Sequence, residues 1–385
     1  MIYLDNSATT FPKPEVVYDF MNDFYRNKGV NPGRSGNDAA IEAGEVITNT
    51  RRLLTKMFNG GEDYNRLTFS HNATDSLNMI IQGLAQSGGH VITTMLEHNS
   101  VLRPLYYLQS QGIIEVTYLP FDAQGYVNPD DLKNAITPKT KFAICTHSSN
   151  VIGTVQPIAQ FGQICKERGI IFVVDGSQGA GAVDVDMISQ NIDIYIFTGH
   201  KCLMGPTGTG GSYVREGVEV PLTRFGGTGV RSAAKEHPTD YPYHLEAGTP
   251  NMLGIAGLYA GIKWLNEKGI QNIHSQEISL WDKLRIGLQS IPRVITYCAD
   301  SVENQNPVLS FNIEGMEAAD VGMMLDVDYD ITCRTGLQCA PKVHQWLGTE
   351  KIHGTVRFSI GAFNTENEIN TAIEAVREIA AIKMK

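Results

Sequence analysis

Ile170-Ile171-Phe172-Val173-Val174-Asp175-Gly176-Ser177-Gln178 is the stretch that decides the architecture: a run of apolar and β-branched residues that stops at a carboxylate and a glycine. It is too short for a helix and reads as a buried strand. Arg66 to Phe69, His90 to Thr94, Ile114 to Leu119, Lys141 to Thr146 and Ile192 to Phe197 read the same way. Helix-length segments lie between them, among them Ala73 to Leu84, Ser100 to Gln109, Pro129 to Ala135 and Pro157 to Arg168. Such alternation predicts an α/β fold, a mixed but mostly parallel sheet covered by helices. Ligands of open α/β sheets sit at the carboxyl ends of strands. That directs attention to Asp175 and to the residues that follow the other runs.

The pattern changes near Gly254. Two long helical stretches, Gly254 to Asn266 and Asn272 to Ser290, precede a strand from Val308 to Ile313. A helix near Ala318 to Leu325, strands near Ile331 to Arg334 and Thr355 to Ile360, and a helix from Glu366 to Ala381 complete the chain. This predicts a large domain over 16–253 and a smaller α+β domain over 254–385, with residues 1–15 packed against the smaller one.

The chain has 385 residues and a formal net charge of −10, which argues against nucleic acid as a partner. No apolar run approaches membrane-spanning length and the first residues lack a signal-peptide pattern, so a cytoplasmic location without membrane contact is expected. The six cysteines form no C-x-x-C pair, so they suggest neither a zinc site nor a thioredoxin-type motif. Free thiols in a reducing cytosol are the expectation, and no metal site is expected.

Ile194-Tyr195-Ile196-Phe197-Thr198-Gly199-His200-Lys201 runs from a buried strand into a glycine-rich turn. A lysine there can be desolvated and made nucleophilic enough for a Schiff base, although a surface lysine before a loop would look similar. Asp175 at a strand end can hold a pyridinium nitrogen protonated, or simply cap the next helix. His71-Asn72-Ala73-Thr74-Asp75 opens an amphipathic helix, where free N–H groups form a phosphate cradle or an ordinary N-cap.

Taken in order, these segments resemble the class V, fold-type I pyridoxal-phosphate (PLP) enzymes. Tyr3 to Thr10 is similar to the family's opening, Glu97-His98-Asn99-Ser100 to its histidine motif, and Ser149 to Gly153 to its asparagine motif. Glu246 to Asn251 is similar to its E-A-G-T-P-N stretch. Arg334-Thr335-Gly336-Leu337-Gln338-Cys339 resembles the cysteine loop of the cysteine desulfurases, in the group with a tight loop that includes selenocysteine lyases. The resemblance implies PLP as cofactor, L-cysteine as substrate, a homodimer with shared active sites, and a protein sulfur acceptor as in iron–sulfur cluster assembly.

It implies roles as well. Lys201 would carry the cofactor and move protons, Asp175 would pair with the pyridinium, and His98 would stack on the ring. Gln178 and Asn150 would contact the ring oxygen, Asn150 also the substrate. Ala73, Thr74, Thr198 and His200 would hold the phosphate, with Thr249 added from the partner subunit. Cys339 would take the substrate sulfur as a persulfide, with Arg334 and His344 favouring its thiolate. Arg357 would grip the substrate carboxylate, since a guanidinium fork suits a bidentate clamp. Arg34 would lie near the mouth of the site. Asn37, Leu337 and Gln338 stand where many relatives carry histidine. A selenocysteine lyase or other class V lyase or aminotransferase, and a non-catalytic dimeric scaffold, remain the alternatives.

Overall fold

The computed structural model describes residues 1–32 and 37–382. Arg34 lies outside them. The strands are β1 (Ile2–Tyr3), β2 (Leu67–Ser70), β3 (Gly89–Thr94), β4 (Ile114–Leu119), β5 (Thr140–Thr146), β6 (Ile171–Asp175), β7 (Ile194–Thr198), β8 (Gly210–Val214), β9 (Val294–Thr296), β10 (Val308–Ile313), β11 (Ile331–Thr332), β12 (Arg334–Gly336) and β13 (Thr355–Ser359). The helices are α1 (Glu15–Lys28), α2 (Asp38–Met57), α3 (Ala73–Leu84), α4 (Asn99–Ser110), α5 (Pro129–Ala135), α6 (Ile158–Arg168), α7 (Met252–Lys268), α8 (Ile270–Gln289), α9 (Ala318–Tyr329), α10 (Pro341–Leu347) and α11 (Glu366–Ala381).

A seven-stranded sheet runs in the order β2-β8-β7-β6-β5-β3-β4. Only β8 is antiparallel to its neighbours, so the sheet is mixed and mostly parallel, as the alternation predicts. Its central strands are buried on both faces: Val173, Val174, Ile194, Tyr195, Ile196 and Phe197 are fully enclosed. That explains why they read as continuous apolar runs rather than alternating ones. Thr146 pairs with Asp175, and Asp175 with Ile196, so the carboxyl ends of β5, β6 and β7 finish side by side.

A four-stranded sheet, β12-β13-β10-β9, is antiparallel throughout and has its own core around Trp281, Phe311 and Phe358. The single strand expected over Ile331 to Arg334 is two. β11 pairs in parallel with β1, whereas β12 turns into the four-stranded sheet against β13. Residues 2–10 therefore lie between the two sheets: Leu4 O accepts from Ser359 N at 2.7 Å, and Thr10 N donates to His200 O at 3.1 Å.

Candidate active site

The strand ends and the second sheet enclose a cavity of about 310 Å³, lined by His98, Asn150, Asp175, Gln178, Thr198, His200, Lys201, Arg334, Cys339 and Arg357 among others. Of the residues within the described range to which the sequence reading gives a role, all border it except Thr249 and His344. Within one chain Thr249 lines a neighbouring cavity with His71, Arg224 and Asn251. Asn37 caps α2, accepting from Ala40 N at 2.9 Å, and does not line the cavity.

Lys201 follows the end of β7. Burial lowers its ammonium from the ordinary 10.5 to about 8, with Asp175 opposing the change. Its neighbour His200 is fixed by the N-terminal segment, because the His200 carbonyl also accepts from Thr9 Oγ1 at 3.1 Å and Lys13 Nζ at 2.6 Å. Asp175 receives Ser177 N at 3.0 Å and Ser177 Oγ at 2.5 Å, both on Oδ1. Oδ2 is left to serve the cavity.

His98 is the N-cap of α4. Its Nδ1 accepts from Ser100 N at 3.1 Å, so the ring proton sits on Nε2. Burial, and then Lys201, lower its pKa to about 4, and the ring is neutral at physiological pH.

An anion cradle lies at the start of α3. The amides of Ala73 and Thr74 belong to the first helical turn, whose N–H groups have no partner within the helix. A Cβ on Gly210 would come within 2.9 Å of Ala73 N, so glycine is what lets β8 approach this turn. Buried His200 Nδ1 has no hydrogen-bond partner among the described residues.

On the opposite wall, Arg334 and Arg357 face each other across the β12–β13 ladder. Like charges directly opposite repel. Asp5, which the sequence reading gave no role, resolves this: Oδ1 meets Arg357 Nη2 at 2.6 Å and Oδ2 meets Arg334 Nη2 at 2.9 Å. Arg357 Nη1 donates to Asn150 O at 2.9 Å, while buried Arg357 Nε has no partner among the described residues. A carboxylate in the stretch quoted as the family opening was the available signal, but only the strand register reveals what it bridges.

Cys339 sits on a tight turn closed by Ala340 N donating to Leu337 O at 2.8 Å. Gln338 and Cys339 occupy its centre with φ of 39° and 57°, the pattern of a type I′ turn. Cys339 is exposed, whereas Cys145 and Cys165 are buried. Burial pushes Cys165, Cys202, Cys298 and Cys333 up to about 12 and Cys145 well above its ordinary value, so these five stay protonated. His344 does not act on the thiol as expected. It is buried, lowered to about 4 by that burial, and bonded through Nε2 to Gln338 Oε1 and through Nδ1 to Thr349 Oγ1, each at 2.8 Å. Asn150 Nδ2 likewise donates to Gln338 O at 2.7 Å, so the asparagine supports the cysteine turn as well as bordering the cavity.

The aminotransferase class-V family profile matches residues 2–371. A probable cysteine desulfurase of Methanothermobacter thermautotrophicus is 31% identical, covering 99% of this chain and 95% of that protein. The cysteine desulfurase IscS of Clostridium botulinum is 32% identical over 98% of this chain and 94% of its own length. Among solved structures, the apo cysteine desulfurase of Thermococcus onnurineus superposes with a TM-score of 0.92 at 31% identity, covering 98% of this chain and 94% of that one. The Escherichia coli desulfurase CsdA gives 0.87 at 30% identity, with the same coverage. With the family profile and these relatives matching nearly its whole length, this chain belongs to the class V aminotransferase family.

Proposed function

We propose that the protein is a PLP-dependent cysteine desulfurase, converting L-cysteine to L-alanine and leaving the sulfur on Cys339 as a persulfide. The observation that carries this reading is one cavity bordered by Lys201, Asp175 and the exposed Cys339, while burial keeps the five other cysteines protonated.

The residues fit the cofactor. Unpartnered His200 Nδ1 and the open first turn of α3, which Gly210 lets β8 approach closely, suit a phosphate. Asp175 Oδ2 suits a protonated pyridine nitrogen, and neutral His98 suits a ring face. Gln178 gives one amide hydrogen to Ser7 O at 3.0 Å and keeps the other for a ring oxygen. Thr198 would join the phosphate contacts, and Thr249 would serve the site of a second copy. When bound, PLP supplies an electron sink for charge developing at the substrate α-carbon.

The protein side of the reaction follows from the walls. Arg357, with its spare Nε, and Arg334 hold the substrate carboxylate, and Asp5 keeps the two guanidinium groups from repelling each other. Lys201 takes and returns the proton at the α-carbon, a task suited to an amine lowered to about 8. Cys339 Sγ bonds to the substrate sulfur as the carbon–sulfur bond breaks, and the carbon regains a proton. Cysteine and one enzyme thiol thus become alanine and one enzyme persulfide, with atoms and electrons balanced. A protein acceptor then removes the sulfur from the exposed turn.

Brief exposure of the PLP-loaded protein to L-cysteine tests this. Alanine should appear and one added sulfur should map to Cys339 by mass spectrometry. No alanine with or without reductant would sink the assignment, and activity on selenocysteine alone would redirect it to a selenium substrate.

A further inference from the structure

We propose that Gln338 and His344 are positioning residues for Cys339: His344, in a single tautomer, clamps the Gln338 amide and so holds the cysteine turn in one conformation. This rests on the reading of Cys339 as the nucleophile. It assigns work to two residues outside the reacting groups.

The hydrogen bonds determine each atom. Thr355 O can only accept, so Gln338 Nε2 faces it, at 2.8 Å. That turns Gln338 Oε1 toward His344 Nε2 at 2.8 Å, and Nε2 must therefore carry the proton. Nδ1 then accepts from the Thr349 hydroxyl at 2.8 Å. The Thr355 hydroxyl adds a longer contact to Gln338 Oε1 at 3.3 Å. Gln338 is 8% exposed, His344 is fully enclosed, and burial keeps the imidazole neutral at physiological pH. An amide held this way neither gives nor takes a proton, so Gln338 cannot replace an acid–base histidine. Its contribution is mechanical.

The turn needs that support. Two successive residues with φ of 39° and 57° are ordinary for glycine or asparagine but not for glutamine and cysteine. Besides the Ala340 N–Leu337 O bond that closes it, the turn backbone is held among the described residues by Asn150 Nδ2 on Gln338 O and by Asn99 N on Cys339 O, each at 2.7 Å. Without the side-chain anchor the turn can relax toward negative φ, and the thiol swings from the cavity wall.

Gln338→Met keeps the length and loses the hydrogen bonds. In the PLP-loaded variant, persulfide formation on Cys339 in a single turnover should slow ~10- to 100-fold, the scale of a misplaced reacting atom. The cysteine concentration that half-saturates the cofactor absorbance change should stay within about twofold, because only the attacking group has moved. His344→Gln, whose amide can still donate to Oε1, should retain more of the rate than His344→Leu. A Gln338→Met rate equal to wild type, or equal rates in the two His344 variants, overturns the proposal. Nitrogen-15 spectra of histidine-labelled wild-type protein give a test independent of variant folding: His344 must carry its proton on Nε2, and a proton on Nδ1 refutes the clamp. If wild type itself makes no persulfide, the desulfurase reading fails, and the tautomer still decides whether the clamp exists.

Discussion

Replacing Asp5 by asparagine removes one charge and leaves the shape of the side chain. That charge lies between two arginines that oppose each other across a ladder. Arg357 is 3% exposed and Asp5 7%, so water screens their contact weakly. At an effective dielectric of ~20, charges ~4 Å apart attract by about 4 kcal/mol. Removing one partner of a buried pair costs about 3–5 kcal/mol. Arg334 is half exposed, and its pairing adds only a few tenths of a kcal/mol. Asparagine keeps an oxygen acceptor, so the lower end, about 3 kcal/mol, applies. Unfolding of the 385-residue chain as one unit carries an entropy of about 0.8 kcal/mol per kelvin, so Tm should fall by about 4 °C. Scanning calorimetry reads this directly. The shift should persist in ~0.5 M salt, which screens exposed pairs but not buried ones. In a steady-state assay the half-saturating cysteine concentration should rise about tenfold, equivalent to about 1.4 kcal/mol of lost carboxylate positioning. A Tm within about 1 °C of wild type together with unchanged saturation would refute the claim that Asp5 organises the arginines.

Three further outcomes are expected. In Cys339→Ala, cysteine should still perturb the cofactor absorbance while the persulfide disappears and alanine formation falls by at least ~100-fold; normal alanine production would remove the thiol from the reaction. The rate at which cofactor-free protein captures PLP should rise with pH and level off above about 8, because the neutral Lys201 amine is the reactive form; a rate still climbing past ~10 would mark an ordinary lysine. Glu97 is fully buried with Oε2 unpartnered, and burial raises its carboxyl from the ordinary 4.5 to about 8. A raised folded pKa gives stability that is complete below 4.5 and lost as pH climbs through about 8. Glu97→Gln should therefore gain on wild type by about 1.4 kcal/mol per pH unit across that window, read as a widening Tm difference between pH 5 and pH 8; a constant difference would contradict a buried neutral acid.

The parallel strands were legible because burial on both faces writes them as unbroken apolar runs, and the end of one such run drew attention to Asp175; the roles of His98, Asn150, Gln178, Thr198 and His200 came from the resemblance. β8 was not legible, since Gly210 and Gly211 carry no strand signature; their role is to admit the neighbouring chain. The division between β11 and β12 was hidden because one continuous stretch serves two sheets. Lys201, Asp175 and Cys339 could be named from local context and resemblance. Asp5, the turn-supporting bond of Asn150 and the inward commitment of His344 depend on partners far away in the chain. Histidine beside a cysteine reads as a thiol activator until packing shows both ring nitrogens engaged elsewhere.

The earliest residues of the chain bind some of the latest. Asn6 Nδ2 reaches Ser359 O at 3.0 Å, Ser7 N reaches Ser359 Oγ at 2.9 Å, and Asn364 Nδ2 reaches Tyr3 O at 3.1 Å. During synthesis the polar groups of this segment stay solvated until residues 359 and 364 have emerged. Closure entropy for so long a loop is met only at the end. The carboxylate that bridges Arg334 and Arg357 thus takes its place late, so a nascent or partly unfolded molecule can hold a finished central sheet and still lack a complete cavity wall.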